Sequence, residues 1–184
     1  MKRILVLNSG GTSSKCAVYE DSTCTADYEM KYTAEEESLN SDGKTQVALK
    51  TKKIQEWLKE IGLTMRDFDA IAIRGGGGFN GAAGGTFLAE GPLYDHMMKM
   101  YTPDKPPMHA TRITIAIVNE LMAGMEKRLP VFSTDPCSVS QMPEYARVTG
   151  CPAFRKRSSF HALNQRAVAR MAAEDIGKTY DTAK

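Results

Sequence analysis

The segment Ile4-Leu5-Val6-Leu7 runs directly into Asn8-Ser9-Gly10-Gly11, and an apolar-polar alternation resumes over residues 15–19. A period of two on each side of a polar, glycine-bearing turn is the pattern of an antiparallel hairpin, because alternate side chains then share one face. The chain therefore opens with two strands whose apolar face has to be covered. Residues 27–32 supply a third strand. Glu35-Glu36-Glu37 and Ser41-Asp42-Gly43 then read as a solvated connection. Val47, Thr51, Ile54, Leu58 and Ile61 recur every three or four residues, which predicts an amphipathic helix. Ser41 or Asp42 can cap its start, and Gly62 suits the left-handed position beyond its end.

Residues 69–73 form a compact apolar strand leading into Arg74-Gly75-Gly76-Gly77-Gly78. A second helix is expected over residues 111–127, ending before Pro130, and Val131-Phe132 make another strand. Ser133-Thr134-Asp135-Pro136 follows it and places a carboxylate at the carboxyl end of a β element, where ligands of open α/β sheets collect. The last helix begins near His161 and runs to Gly177, with Leu163, Ala167, Val168, Met171 and Ala172 on one side. Strands interleaved with helices place the chain in the α/β class.

Composition narrows the function classes. At 42% hydrophobic and 25% charged residues the 184-residue chain is globular rather than disordered. Twenty-four Lys and Arg against 22 Asp and Glu leave a net charge of +2, with no electrostatic footprint for nucleic acid or an anionic membrane. The longest apolar runs fall far short of the ~20 residues that cross a bilayer. Met1-Lys2-Arg3 enters four apolar residues without the longer core of a secretory signal, so a cytoplasmic location is expected. Cys16, Cys24, Cys137 and Cys151 show no C-x-x-C spacing and read as reduced, mostly buried thiols.

Three stretches can carry chemistry. The loop from Asn8 to Lys15 combines glycines, hydroxyls, an amide and an ammonium between two strands. That set suits a phosphate, although glycine and serine also dominate ordinary turns. It is not a P-loop, since a strand rather than a helix follows it. Gly76-Gly77-Gly78-Phe79-Asn80-Gly81 satisfies G-x-G-x-x-G, and Asp95 stands downstream as a dinucleotide fold requires. The fingerprint has to open a helix, however, and Gly84-Gly85 and then Gly91-Pro92 are expected to break one, so a substrate loop fits better. Arg74 at its head can clamp a carboxylate or phosphate in two-pronged fashion, or serve in a structural salt bridge. His96, His109 and His161 lack metal-ligand spacing. His161 follows Arg155-Lys156-Arg157 near a helix start, an electropositive setting for a developing anion. Met97, Met98, Met100, Met122 and Met125 read as core filler.

Taken together, Ile4-Leu5-Val6-Leu7-Asn8-Ser9-Gly10-Gly11-Thr12-Ser13-Ser14-Lys15, Arg74-Gly75-Gly76, Asp135-Pro136 and Phe160-His161-Ala162-Leu163-Asn164-Gln165 resemble the butyrate kinase branch of the acetate kinase family. The resemblance covers essentially the whole chain. It implies the fold of the acetate kinase, sugar kinase, Hsp70 and actin superfamily, with two ribonuclease-H-like domains and ATP bound between them. Residues 1–155 correspond to the first domain. Residues 156–184 correspond to the linker and opening helix of a second, nucleotide-binding domain that is truncated here, because the family's chains run on well past the equivalent of Lys184.

The activity that the resemblance implies is transfer of the ATP γ-phosphoryl group to a short-chain carboxylate, giving butyryl phosphate and ADP from butyrate. ATP/ADP and Mg2+ follow as cofactors, and a homodimer as the assembly. By motif, Asn8, Gly10, Thr12, Ser13 and Lys15 resemble the first phosphate loop, with Gly11 standing where a serine is usual. Arg74 resembles the arginine that holds the carboxylate or the transferring group, and Gly75 and Gly76 continue its substrate loop. Asp135 resembles the active-site aspartate, with an indirect contact to magnesium, and His161 the histidine that stabilises phosphoryl charge. Met108, His109 and Phe160 fall where the family lines its acyl pocket. The competing expectation is a stand-alone, non-catalytic module that binds an anion or a partner.

Overall fold

Alternation in the first thirty residues produces three antiparallel strands, β1 (Arg3–Ser9), β2 (Ser14–Glu20) and β3 (Thr23–Met30). In this computed structural model the described residues are 1–9, 13–39, 42–74, 84–104, 110–136, 142–156 and 161–183. The chain divides into two compact units, Met1–Arg74 with Phe87–Ser133 and Gly75–Thr86 with Thr134–Lys184. The further strands are β4 (Ala70–Arg74), β5 (Thr86–Leu88) and β6 (Val131–Thr134), and the sheet order is β3-β2-β1-β4-β6-β5. The helices are α1 (Ala34–Leu39), α2 (Gly43–Glu60), α3 (Gly91–Met100), α4 (Ala110–Leu121) and α5 (Ala162–Asp175). This is the mixed α/β architecture expected from the interleaved pattern.

In the first unit, register follows from which face is buried. Leu5 pairs with Val18, Leu7 with Cys16 and Ser9 with Ser14, so one face of the hairpin is continuously buried. β4 runs parallel to β1, with Leu7 opposite Ile73, so the carboxyl ends of β1 and β4 coincide and bring Asn8 beside Arg74. Burying Leu5, Leu7, Ile71 and Ile73 contributes about 1.5–3 kcal/mol per side chain. Asp42 caps α2 by accepting from the Thr45 amide at 2.8 Å, and Gly62 takes φ 74° just beyond its end. α4 packs against α2, α3 and β1, which is why Ile113, Ile115, Ile117, Val118 and Leu121 are buried around much of its circumference.

Four local expectations are corrected. The acidic run at Glu35-Glu36-Glu37 is helix α1, not a bare connection. The Glu36 amide bonds the Thr33 hydroxyl, and the Thr33 amide bonds the Glu36 carboxylate, a reciprocal capping box that outweighs the run's self-repulsion. Gly91-Pro92 starts a helix instead of breaking one, because proline in a first turn gives up an N–H that has no partner there. The apolar side of α5 is largely exposed, with Val168 at 55% and Met171 at 63%, while Ala173 is buried. Of the thiols, Cys16 is buried, Cys24 and Cys151 are exposed, and Cys137 lies outside the described residues.

Candidate functional site

Within the first unit, the strand ends that the sequence singles out are adjacent. Arg74 Nη1 donates to Asn8 Oδ1 at 3.4 Å, a contact made available by the parallel register of β1 and β4. Ser13 is half-buried immediately before β2. Lys15 pairs in register with Asn8 on the face opposite Ser9 and Ser14, and its ammonium lies 3.6 Å from Glu29 Oε1 on β3. That ion pair is exposed on both sides, and such pairs contribute little to stability, so it is readily exchanged for another anion. The expected site residues Gly10, Thr12, Gly75, Gly76, Met108, His109 and Phe160 lie outside the described residues.

Within the second unit, Asp135 and His161 come together across 26 positions. Asp135 is 5% exposed and adopts φ 57°, a left-handed conformation that costs a non-glycine residue about 1 kcal/mol and that aspartate tolerates better than most. Its amide donates to the Gly85 carbonyl at 2.9 Å, which anchors the strained residue. Its carboxylate accepts the amides of Leu163 (Oδ1) and Asn164 (Oδ2), each at 3.0 Å. These are second and third residues of α5, whose own cap position is His161, and the His161 side chain makes no capping bond. Asp135 therefore caps α5 from outside the helix, placing a negative charge where the helix dipole is positive.

The same residue sets the histidine. His161 Nδ1 lies 2.7 Å from the Asp135 carbonyl oxygen, and a carbonyl can only accept. Nδ1 therefore carries a proton, and Nε2 is the atom that gains the second proton in the imidazolium. The ring also stands 3.7 Å from Asp135 Oδ2. With Nδ1 protonated toward that carbonyl, Nε2 accepts in the neutral ring and donates to an anionic oxygen in the imidazolium.

Two residues outside the expected set belong to this description. Ser14, 2% exposed, receives a hydrogen bond at 2.7 Å from Lys50 Nζ, itself 6% exposed. The sequence carried a signal for Lys50, because it falls on the three-four period between Val47 and Ile54. The cap formed by Asp135 on α5 had none, since the two amides belong to the backbone.

The chain is similar to a probable butyrate kinase of Thermotoga petrophila, with 34% identity over 184 residues, all of this chain and 50% of the relative. It is 29% identical to butyrate kinase 1 of Clostridium acetobutylicum over 181 residues, 98% of this chain and 49% of that one. The chain thus spans about half the length of the curated relatives it matches. Among solved structures it resembles in fold an acetate kinase of Porphyromonas gingivalis, with TM-score 0.61, 16% identity, and coverage of 98% of this chain and 50% of that one. A propionate kinase of Francisella tularensis gives TM-score 0.57 and 15% identity, with coverage of 97% and 50%. No family model matches the chain.

Proposed function

Since this chain belongs to the acetate and butyrate kinase family, we propose that it forms the N-terminal half of a carboxylate kinase that transfers the ATP γ-phosphoryl group to a short-chain acid such as butyrate. The observation that carries this reading is 34% identity to a probable butyrate kinase along the whole of the chain. In the reaction a carboxylate oxygen attacks the γ-phosphorus, the bond to the bridging oxygen breaks, and ADP departs with that electron pair. Such transfers rest on positioning and electrostatic stabilisation rather than covalent chemistry by the protein.

In the proposed roles, Asn8, Gly10, Thr12, Ser13 and Lys15 hold phosphate oxygens. Arg74, with Gly75 and Gly76, clamps the carboxylate or transferring group, and Met108, His109 and Phe160 line the acyl pocket. His161 stabilises equatorial phosphoryl charge from Nε2. Asp135 orients His161 through its carbonyl and α5 through its carboxylate. Magnesium enters the proposal as the counter-ion of ATP. Among the described residues no group of three ligating side chains is present, and both Asp135 oxygens accept α5 amides. Residues 1–155 are assigned to the first domain and 156–184 to the opening of the second. A cytoplasmic location and a homodimer complete the proposal; no helix among the described residues is long and apolar enough to cross a membrane.

The test is ATP- and butyrate-dependent acyl phosphate, trapped as hydroxamate with hydroxylamine, from the longest product of the gene. Arg74→Ala is expected to abolish it, and wild-type turnover in that variant would end the reading. The half-length match to the relatives keeps a second reading in play, a module that binds butyrate or phosphate without consuming ATP. Binding by a product that yields no hydroxamate would favour it.

A further inference from the structure

The buried stripe of α2 consists of Val47, Lys50, Thr51, Ile54, Trp57 and Leu58 together with Gly43 and Gln46, and one member of it is charged. Among the described residues Lys50 is the one buried lysine or arginine. An ammonium withdrawn from water without a carboxylate is expensive, and an apolar side chain of the same length would fill this position. Its neighbour Lys53 shows the usual solution, an ion pair with Glu36 at 2.8 Å. Lys50 instead donates to Ser14 Oγ at 2.7 Å and lies 5.8 Å from the centre of the Tyr32 ring. The nearby Cys16 thiol is held neutral, its pKa pushed up to about 12 by burial. Burial likewise lowers the pKa of Lys50.

What this cation touches is the mouth of the hairpin. Ser14 begins β2 and pairs with Ser9, the last residue of β1, so the Lys50 contact falls on the final rung. The adjoining rung is Asn8 with Lys15, and Asn8 is held by Arg74. The Tyr32 ring flanks the same ammonium, so lysine, serine and tyrosine cluster beneath that rung. We propose that Lys50 is a positioning residue for the anion-binding end of the β1–β2 hairpin, fixing the Ser9–Ser14 rung and supplying buried positive charge under a bound phosphoryl group. This rests on the reading of Asn8, Ser13 and Lys15 as phosphate-holding residues.

The test titrates the 184-residue chain with inorganic pyrophosphate, followed by 31P NMR, alongside thermal melts. Lys50→Met is expected to melt at or above the wild-type temperature yet to bind pyrophosphate about tenfold more weakly. Ser14→Ala removes the link without touching the ammonium, so it is expected to weaken binding too. The double variant is expected to bind no more weakly than Lys50→Met. Unchanged affinity in Lys50→Met overturns the proposal whatever its melting temperature, and if that variant does not fold, unchanged affinity in Ser14→Ala does so. Lys15→Ala separates the two levels. If it weakens binding and Lys50→Met does not, only the role of Lys50 falls. If the wild type binds no pyrophosphate, the phosphate reading falls and this proposal with it.

Discussion

Asp135→Ala removes both acceptors from the start of α5, and its effect can be worked out from the contacts. Each lost bond is an amide-to-carboxylate hydrogen bond of 3.0 Å. Bonds to charged groups contribute about 1.5–3 kcal/mol each, but the two share one carboxylate, and deletion of a helix cap costs about 1–2 kcal/mol, so the sum lies near 3 kcal/mol. Alanine at φ 57° stays strained. Glycine there is not, so Asp135→Gly should be about 1 kcal/mol less destabilised than Asp135→Ala while losing the same carboxylate. Asparagine keeps one acceptor and tolerates the backbone, so Asp135→Asn should lose least. Most of α5 is exposed, with Ala173 buried, so the effect should appear as local opening of the helix rather than global unfolding. Hydrogen exchange at the Leu163 and Asn164 amides reads this directly. About 3 kcal/mol corresponds to roughly a hundredfold faster exchange in Asp135→Ala. Wild-type protection of those amides in that variant would refute the capping argument, and a glycine variant less stable than the alanine one would refute the backbone argument.

Three further outcomes are expected. Asp42→Ala loses the Thr45 amide bond and about 1 kcal/mol, lowering the melting temperature by about 3 °C; an unchanged melt would show that water replaces the cap fully. Thiol labelling of the native chain near pH 8, mapped by mass spectrometry, should modify Cys24 and Cys151 and spare Cys16 until unfolding, and labelling of all three at one rate would contradict the burial of Cys16. The Thr64 hydroxyl and amide lower the Asp67 pKa, and the Lys2 ammonium and Arg3 amide lower that of Asp69, both from an ordinary 3.8. Their stabilisation is present above pH 3.8 and is lost as pH falls below it through the folded-state values, so the melting gap between wild type and Asp67→Asn or Asp69→Asn should close in acid. A gap that widens as pH falls below 3.8 would contradict that sign.

Elements governed by local periodicity were legible in the sequence, and those governed by a single side chain were not. β1, β2, α2 and β4 follow from alternation or from the three-four repeat, and Asp42 and Gly62 mark the ends of α2 as their chemistry requires. β5 is three residues long and carries no period to detect. α1 hid in an acidic run because its support is the pair Thr33 and Glu36, visible only when a serine or threonine is checked against the residue three places on. Lys50 is hidden in the sequence because a charge on an apolar stripe ordinarily marks the stripe's edge. The structure keeps it there, bonded to a serine whose residue type suits a turn equally well.

Asp135 illustrates why a motif cannot assign a residue's work. The resemblance marks Asp135 and His161 as one constellation, and the contacts split Asp135 into two functions held by different atoms. Its carbonyl fixes the His161 tautomer, and its carboxylate holds α5. No substitution at 135 deletes the carbonyl, so Asp135→Asn preserves the histidine contact wherever the backbone survives. A kinetic loss in that variant would then be a loss of carboxylate charge or of α5 placement, and amide exchange at Leu163 decides between them. Slow exchange with lost activity assigns the charge to the reaction. Fast exchange with lost activity assigns it to the helix, and the resemblance between this aspartate and an active-site one would then be a resemblance of position.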